Sequence, residues 1–172
     1  MSSPFAGGAI APGAEMSVGV VGEPRRTVML SVTAQYALRA FAYIADQEGD
    51  QPVLTKDIAA NTGVPSQYLS RILNNAVRAG LLTSTRGVGG GFRLTRPSEK
   101  IKLIDILSNY DDLLDRSKCP FGQPRCNDDN PCGFHEHWKP ISMAFREMLN
   151  ETTIADVGVE GLGGHRRRQQ KR

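Results

Sequence analysis

The chain has 172 residues, a formal net charge of +3 and a hydrophobic fraction of 40%, which suits one compact domain with appended segments. No stretch approaches the roughly 18 apolar residues that a membrane-spanning helix needs, so a membrane protein is excluded. Residues 1–28 lack the charged start and apolar run of a secretory signal, and their Gly, Ala and Pro content predicts a flexible leader. We therefore expect the protein in the cytoplasm, where thiols stay reduced.

The charges are unevenly distributed along the chain. Residues 59–98 contain five arginines and no acidic residue, whereas residues 99–137 contain eight acidic residues and five basic ones. A basic segment followed by an acidic one indicates two different tasks. The basic segment suits either a polyanion such as nucleic acid or an ordinary solvated surface.

Hydrophobic periodicity predicts a helical first half. Apolar residues at three- and four-residue spacing predict a helix over residues 33–48. Thr55 is expected to cap a short helix, a tight turn follows at residues 61–63, and another helix runs over residues 65–79. Strand, glycine-rich tip and strand come next, which is the pattern of a β-hairpin.

The second half is expected to contain a short helix over residues 101–107, a loop over residues 118–133 and a long last helix. Pro140, near the start of the last helix, implies either a late start or a kink. One face of that helix has the spacing of a packing seam. The seam residues are Trp138, Ile141, Phe145 and Met148. Residues 158–172 are Gly-rich and then basic, which predicts a disordered basic tail.

The order helix, tight turn, helix and hairpin is typical of a winged helix-turn-helix. Such a fold places its second helix in the major groove of DNA and its wing beside it. The first turns of that helix carry hydroxyl, amide and guanidinium groups, which can bond base edges or phosphates. The predicted contacts are Ser66, Gln67, Tyr68, Ser70 and Arg71. For any one of them, an ordinary polar helix face is the competing interpretation.

The hairpin tip, residues 87–91, contains four glycines, which allow its backbone to approach another surface closely. Arg86 and Arg93 flank the tip, and an arginine on a thin hairpin suits a narrow, negatively charged minor groove. The glycines do not form an enzyme's phosphate loop. Phe92 stands where a dinucleotide fingerprint needs its third glycine, and no Gly-Lys-Ser/Thr follows.

The three cysteines of the chain lie in one loop. Cys119, Cys126 and Cys132 have the spacing C-x6-C-x5-C, and His135 follows three residues later. Soft thiolates select zinc, copper(I) or iron–sulfur clusters, while unrelated surface thiols are the competing interpretation. Zinc with three cysteines and a histidine is the main alternative. Structural zinc sites usually contain C-x2-C or C-x4-C pairs, so the spacing leans mildly toward a cluster.

Together these features resemble the Rrf-type family of winged-helix regulators, which includes iron–sulfur cluster regulators and nitric-oxide-sensing repressors. The resemblance runs from about Met29 to Val157. It rests on MLSVTAQYALRA, GVPSQYLSRIL, STRGVGGGFRL and the three cysteines before the last helix. It implies a homodimer in which the last helices pack together, and an iron–sulfur cluster ligated by the three cysteines.

The fourth ligand varies within that family. In some members it is a histidine three residues after the last cysteine, which matches His135. In others it is an acidic residue of the partner subunit's first helix, at the position of Gln35 here. Glutamine is a poor ligand for iron, which favours His135. The first cysteine gap is one residue longer than in the best-known cluster-sensing members, so 2Fe–2S and 4Fe–4S both stay open.

The sequence therefore predicts a mainly α protein with a leader (1–28), a winged helix-turn-helix (29–100), a cluster loop with a dimerisation helix (101–157) and a tail (158–172). The predicted function is that of a homodimeric, sequence-specific DNA-binding regulator, a repressor, controlled by an iron–sulfur cluster, and not an enzyme. The alternatives are a zinc-stabilised DNA-binding protein without a sensing role and a small iron–sulfur redox or carrier protein. The carrier leaves the arginine segment and the wing unexplained.

Overall fold

The computed structural model of the chain describes residues 30–47, 51–87, 89–111, 119, 121–158 and 162. The predicted leader and most of the predicted tail lie outside these residues. The elements in order are α1 (Val32–Ala45), α2 (Thr55–Thr62), α3 (Ser66–Arg78), β1 (Leu82–Thr85), β2 (Gly91–Leu94), a 3-10 turn (Ser98–Lys100), α4 (Leu103–Leu107) and α5 (His135–Glu151). The architecture is mainly helical with one two-stranded sheet, as predicted. None of the described helices is long and apolar enough to cross a membrane.

The helix α1 forms the centre of the core because one of its faces is wholly apolar. Ala37 and Phe41 on that face are completely buried. Ser31 caps the helix, since its hydroxyl oxygen accepts a hydrogen bond from the backbone N–H of Ala34 at 3.1 Å. At the other end the N–H of Asp46 donates to the carbonyl of Ala42 at 3.0 Å. The predicted helix is confirmed, and it ends at Ala45.

The two helices α2 and α3 are joined by the tight turn that the sequence predicts. Gly63 adopts a left-handed conformation (φ 67°), and its N–H donates to the carbonyl of Ala59 at 3.1 Å, which ends α2. The prediction for Thr55 was wrong: Leu54 occupies the capping position and Thr55 is the first helical residue. Helix α3 then buries Leu69 and Leu73 against α1, and its remaining faces are polar.

The strands β1 and β2 form the predicted antiparallel hairpin. Leu82 lies opposite Leu94, and Thr85 lies opposite Gly91. The hairpin is attached to the body of the molecule on its other edge: the N–H of Val53 donates to the carbonyl of Phe92 at 2.8 Å, and the N–H of Phe92 donates back at 2.9 Å. This bridge makes Val53 a third, one-residue strand beside the wing.

The end of α5 is fixed to the same core by backbone hydrogen bonds. The N–H of Leu103 donates to the carbonyl of Thr152 at 2.9 Å, and the N–H of Ile154 donates to the carbonyl of Ile101 at 2.8 Å. Ile154 and Leu149 are buried here. Helix α5 begins at His135 and contains Pro140, so of the two alternatives predicted for this proline, a late start or a kink, the late start is wrong. Its first turn instead stands beside the cysteines.

Candidate DNA-binding surface and cysteine centre

The first turns of α3 present one continuous polar surface, which we call the reading face. It consists of Ser66, Gln67, Tyr68, Ser70 and Arg71, all of which are exposed. Leu69, in the middle of this segment, is completely buried, so it fixes the helix while its neighbours face outward. The Ser70 hydroxyl donates to the carbonyl of Ser66 at 3.1 Å and keeps its acceptor capacity. The structure therefore brings the predicted contact residues together on one accessible surface.

The two wing arginines have different surroundings. Arg93 is exposed, and its Nε donates to the Thr83 hydroxyl oxygen across the hairpin at 3.2 Å, which orients the side chain along the sheet. Arg86 follows the end of β1 at the tip and is also exposed. Both arginines are thus accessible, and Arg93 bonds the neighbouring strand of the hairpin.

Two of the tip glycines are required by the wing itself. A Cβ on Gly91 would lie 2.4 Å from the carbonyl oxygen of Val53, and one on Gly90 would lie 2.3 Å from that of Thr85. Gly89 has a positive φ of 75° but open space around it. The predicted close approach of the glycine backbone to another surface therefore occurs within the chain itself, where β2 passes the segment that carries Val53.

A short segment after α4, residues 109–111, contacts both α3 and the start of α1. The Tyr110 hydroxyl donates to the carbonyl of Ile72 at 2.9 Å, and Asn75 Nδ2 donates to the carbonyl of residue 109 at 3.3 Å. Ser31, the cap of α1, donates its N–H to Asp111 Oδ2 at 2.6 Å. Burial raises the pKa of Tyr110 to about 12. Sequence reasoning missed this segment because it carries no motif of its own.

The three cysteines and His135, together called the cysteine centre, lie in two close pairs. Cys119 Sγ and Cys132 Sγ are 3.8 Å apart, and Cys126 Sγ lies 3.7 Å from His135 Nδ1. His135 is only 4% exposed although it is the first residue of α5. Its backbone N–H donates to the carbonyl of Cys132 at 2.9 Å. The helix start therefore holds the imidazole against the loop that carries the thiols.

The residue that orients His135 is Asp128, which the sequence did not single out. Asp128 Oδ1 lies 2.8 Å from His135 Nε2 and accepts a second bond from Lys139 Nζ at 2.7 Å. The hydrogen bonds from Lys139 and then His135 lower the pKa of the Asp128 carboxyl, so it is ionised at neutral pH. An ionised carboxylate can only accept, so Nε2 carries the proton and a neutral ring keeps its lone pair on Nδ1.

The thiols differ in how readily they ionise. Backbone N–H groups of Gln123 and Phe121 lower the pKa of Cys119 because they donate to its sulfur. Burial raises the pKa of Cys126, and the neighbouring Cys119 and Cys132 raise it further. Cys119 therefore ionises more readily than Cys126, and a positive partner such as a metal ion would favour the thiolate of Cys126.

An aromatic cluster closes the loop over the start of α5. The rings of Phe121 and Phe134 are stacked with their centroids 4.7 Å apart, and Trp138 meets Phe121 edge-on at 6.0 Å. Phe121 comes two residues after Cys119, and Phe134 two residues after Cys132. Their contact keeps the two ends of the cysteine loop together, which agrees with the short distance between those two sulfurs.

The donors of the cysteine centre are of the chemical types found in metal sites, and the structure places them in two pairs. Three thiols and one imidazole are ligands that iron–sulfur clusters and zinc accept. Within the described residues, however, no group of three or more His, Cys, Asp or Glu side chains is close enough to hold one metal ion. Gln35, the other position considered for a ligand, donates its amide to the carbonyl of Leu30 at 2.9 Å. The four donors of the cysteine centre therefore lie as two pairs and not as one group of four.

Helix α5 exposes several large apolar side chains. Ile141 and Met148 are about half exposed, at 52% and 49%, while Trp138 and Phe145 are partly buried. His135 and Leu149 are the buried residues of this 17-residue helix. A helix with this much exposed apolar surface is typical of one that packs against a further surface.

Comparison with known proteins gives one consistent result. Residues 30–160 match the family Rrf2, described as "Iron-dependent Transcriptional regulator". An HTH-type transcriptional regulator of Mycobacterium tuberculosis is 32% identical over 142 residues, 79% of this chain and 84% of the relative. The HTH-type transcriptional regulator IscR of Vibrio cholerae is 30% identical over 74% of this chain and 73% of its own length. The structure of CymR, the global cysteine regulator of Bacillus subtilis, aligns with a TM-score of 0.61 and 25% identity, covering 77% and 98% of the two chains.

Proposed function

Since this chain belongs to the Rrf2 family of transcriptional regulators and is not an enzyme, we propose that it is a homodimeric, sequence-specific repressor controlled by an iron–sulfur cluster. The cluster ligands are Cys119, Cys126, Cys132 and His135. The observation that carries the proposal is the buried His135, whose Nδ1 lies 3.7 Å from the sulfur of Cys126 in the same loop. The protein acts in the cytoplasm, where DNA is accessible and thiols stay reduced.

The reading face supplies sequence discrimination, and the wing supplies mainly backbone attraction. Gln67 and Tyr68 lie at the exposed start of α3, where side chains of a helix-turn-helix reach base edges in the major groove. Arg86 is exposed beside the wing tip, where a guanidinium can reach phosphates or a narrow minor groove. Both elements are fixed to one core, so they move together relative to DNA.

Dimerisation through α5 places two reading faces on one operator. The half-exposed Ile141 and Met148, with Trp138 and Phe145 beside them, form the surface that would pack against the same helix of a second copy. Burial of apolar surface in such a seam stabilises the pair by roughly 25 cal/mol for each Å² removed from water. A two-fold arrangement also matches the symmetry of palindromic operators.

Cluster control acts through order in the cysteine loop. A bound cluster would supply redox-active iron, and its ligation by Cys119, Cys126, Cys132 and His135 would order the loop between them. The chain's own residues transmit this change, because His135 begins the same helix whose far end is fixed to the core at Leu103 and Ile101. Residues 109–111, which precede the cysteine loop, bond the backbone of α3 directly. Loop order and the position of the reading face are thereby connected.

The test is anaerobic preparation of the full chain. We expect a brown protein whose visible charge-transfer absorbance disappears in Cys126→Ala, and whose operator affinity changes when the cluster is removed. A serine control, Ser142→Ala, should keep the colour, because the Ser142 hydroxyl bonds the carbonyl of Lys139 within α5. A colourless protein with stoichiometric zinc would establish the zinc-stabilised alternative. A brown protein without specific DNA affinity would establish the redox or carrier alternative.

A further inference from the structure

Tyr68, the aromatic residue of the reading face, is half covered by the protein and half open to solvent. It is 48% exposed, and its ring meets that of Tyr36 in α1. The two ring centroids are 6.0 Å apart and the rings are inclined by 56°, which is the separation and tilt of a favourable aromatic pair. One ring of this pair is therefore accessible to DNA, whereas the other belongs to a different helix.

Tyr36 is itself fixed to the body of the molecule. It is partly buried and packs against the apolar core that surrounds α1. Arg39, three residues further along the same helix, holds its guanidinium carbon 5.9 Å from the centroid of the Tyr36 ring, within the range of a cation–π contact. The Tyr36 ring is thus supported by the core and by a neighbouring cation, and it can in turn support the exposed ring of Tyr68.

The support matters because an exposed tyrosine on a helix can adopt more than one staggered rotamer about χ1. Ordering a mobile side chain on binding weakens affinity by about 2- to 12-fold, and a side chain that is already ordered avoids this loss. The gain applies only to a contact that depends on one orientation of the ring. A base edge in the major groove imposes such an orientation, whereas attraction to the phosphate backbone does not.

We propose that Tyr36 is a positioning residue for sequence-specific DNA recognition: its ring keeps the ring of Tyr68 in one orientation on the reading face. This inference rests on the proposed function, because it assumes that Tyr68 contacts base edges. It adds a residue of α1 to a specificity otherwise assigned to α3. The contact joins the two rings, so Tyr36 needs neither its hydroxyl nor a contact of its own with DNA for this role.

The orientation of Tyr68 is measured first without DNA, in the full-length protein with ¹³C-labelled tyrosine. Three-bond couplings about χ1 of Tyr68 should indicate one rotamer in wild type and in Tyr36→Phe, and a rotamer average in Tyr36→Leu. The control is Tyr43→Leu, because Tyr43 is also a partly buried tyrosine of α1 that packs against the core. It should leave the Tyr68 couplings unchanged. Averaged couplings in wild type would overturn the proposal, whether or not Tyr36→Leu folds.

Binding to an operator duplex, selected from random DNA with the wild-type protein, and to a scrambled duplex then tests the consequence. Tyr36→Leu should weaken operator binding by about 2- to 12-fold and scarcely change scrambled binding, while Tyr36→Phe should behave as wild type. In a Tyr68→Ala background, Tyr36→Leu should have no further effect, because no ring remains to be positioned. An equal loss in both backgrounds would overturn the positioning role. Weaker binding of both duplexes by Tyr36→Phe would also overturn it, since the hydroxyl would then contact the DNA backbone.

These outcomes are distinct from failure of the proposed function. A wild-type protein that selects no preferred duplex overturns both sequence-specific binding and the inference that rests on it. A wild-type protein that prefers its operator, with the same preference retained in Tyr36→Leu, overturns the inference alone. A preference that falls in Tyr36→Leu, is kept in Tyr43→Leu and returns in Tyr36→Phe supports both.

Discussion

The described residues of 30–111, called the N-terminal part, and those of 119–158, which contain the cysteine centre and α5, are stabilised in different ways. The first has a continuous apolar core around Phe41, Ile58 and Leu73. In the second, the described buried side chains are His135, Leu149 and Ile154, and the last two belong to the first part's core. The cysteine loop is held by sulfur and imidazole pairs, one carboxylate and an aromatic cluster. A fold of this kind can change the order of one part while the other stays intact.

The strongest test of this difference is hydrogen exchange with and without the cluster. Amides of α1 and α3 should exchange through global unfolding and keep their protection in the apo protein. Amides of residues 121–134 should gain about 1,000-fold protection on loading, the factor expected of a ligand present at about 1,000 times its Kd. Mass spectrometry of peptides from both parts measures this directly. Equal loss of protection in α1 would mean that the two parts unfold as one unit.

A substitution in the wing should disturb the first part without changing the second. Gly91→Ala should cost about 3 kcal/mol of the free energy of unfolding, because the new Cβ overlaps the carbonyl oxygen of Val53 and the residue has a positive φ. Gly89→Ala, with a positive φ but open space, should cost only about 1 kcal/mol. Urea denaturation measures both values. Equal costs would show that backbone conformation, rather than the contact with Val53, requires Gly91.

Within the N-terminal part, helix α3 and the wing should contribute differently to the proposed DNA recognition. Gln67→Ala should weaken operator binding by roughly 1–3 kcal/mol and leave random DNA nearly unaffected, because a base-edge contact exists only at the right sequence. Arg86→Ala should weaken both and reduce the salt dependence by about one unit of log–log slope. Binding to operator and scrambled duplexes at several salt concentrations separates the two effects. An unchanged operator-to-random ratio for Gln67→Ala and Tyr68→Ala would exclude the reading face.

The smallest expected effect lies at the junction of the two parts. Tyr110→Phe should cost about 1 kcal/mol, because it removes the hydrogen bond to the carbonyl of Ile72. Burial raises the folded-state pKa of Tyr110 from 10.0 to about 12, so its contribution is complete below pH 10 and is lost as the pH rises from 10 toward 12. Wild type should lose more stability than Tyr110→Phe over that interval. If the free energies of unfolding of wild type and Tyr110→Phe change in parallel with pH, the raised pKa of Tyr110 does not contribute to stability.

Local sequence patterns predicted the elements better than the contacts between them. The left-handed Gly63, the buried Leu69 and the glycine-tipped hairpin all follow from residues close together in the chain. The bond between Tyr110 and Ile72 joins residues 38 positions apart, and that between Ser31 and Asp111 joins residues 80 apart. No periodicity encodes such pairs.

The candidate site was predictable only in its ligand types. Cys119, Cys126, Cys132 and His135 were recognisable from their chemistry and spacing. Asp128 was not, because an acidic residue in a polar loop resembles any solvated aspartate until the imidazole of His135 is placed beside it. The division of the ligands into two pairs also depends on how the loop closes around Phe121 and Phe134, which the cysteine spacing does not determine.

The chain has one tryptophan, Trp138, and it lies in the aromatic cluster at the start of α5. The ultraviolet emission of the whole protein therefore originates beside the cysteine loop, with no contribution from a second indole. A coloured centre a few residues away accepts excitation energy, so loading should dim this emission and loss of the cluster should restore it. The protein thus contains its own optical probe, and the kinetics of cluster assembly and loss can be followed without an attached dye.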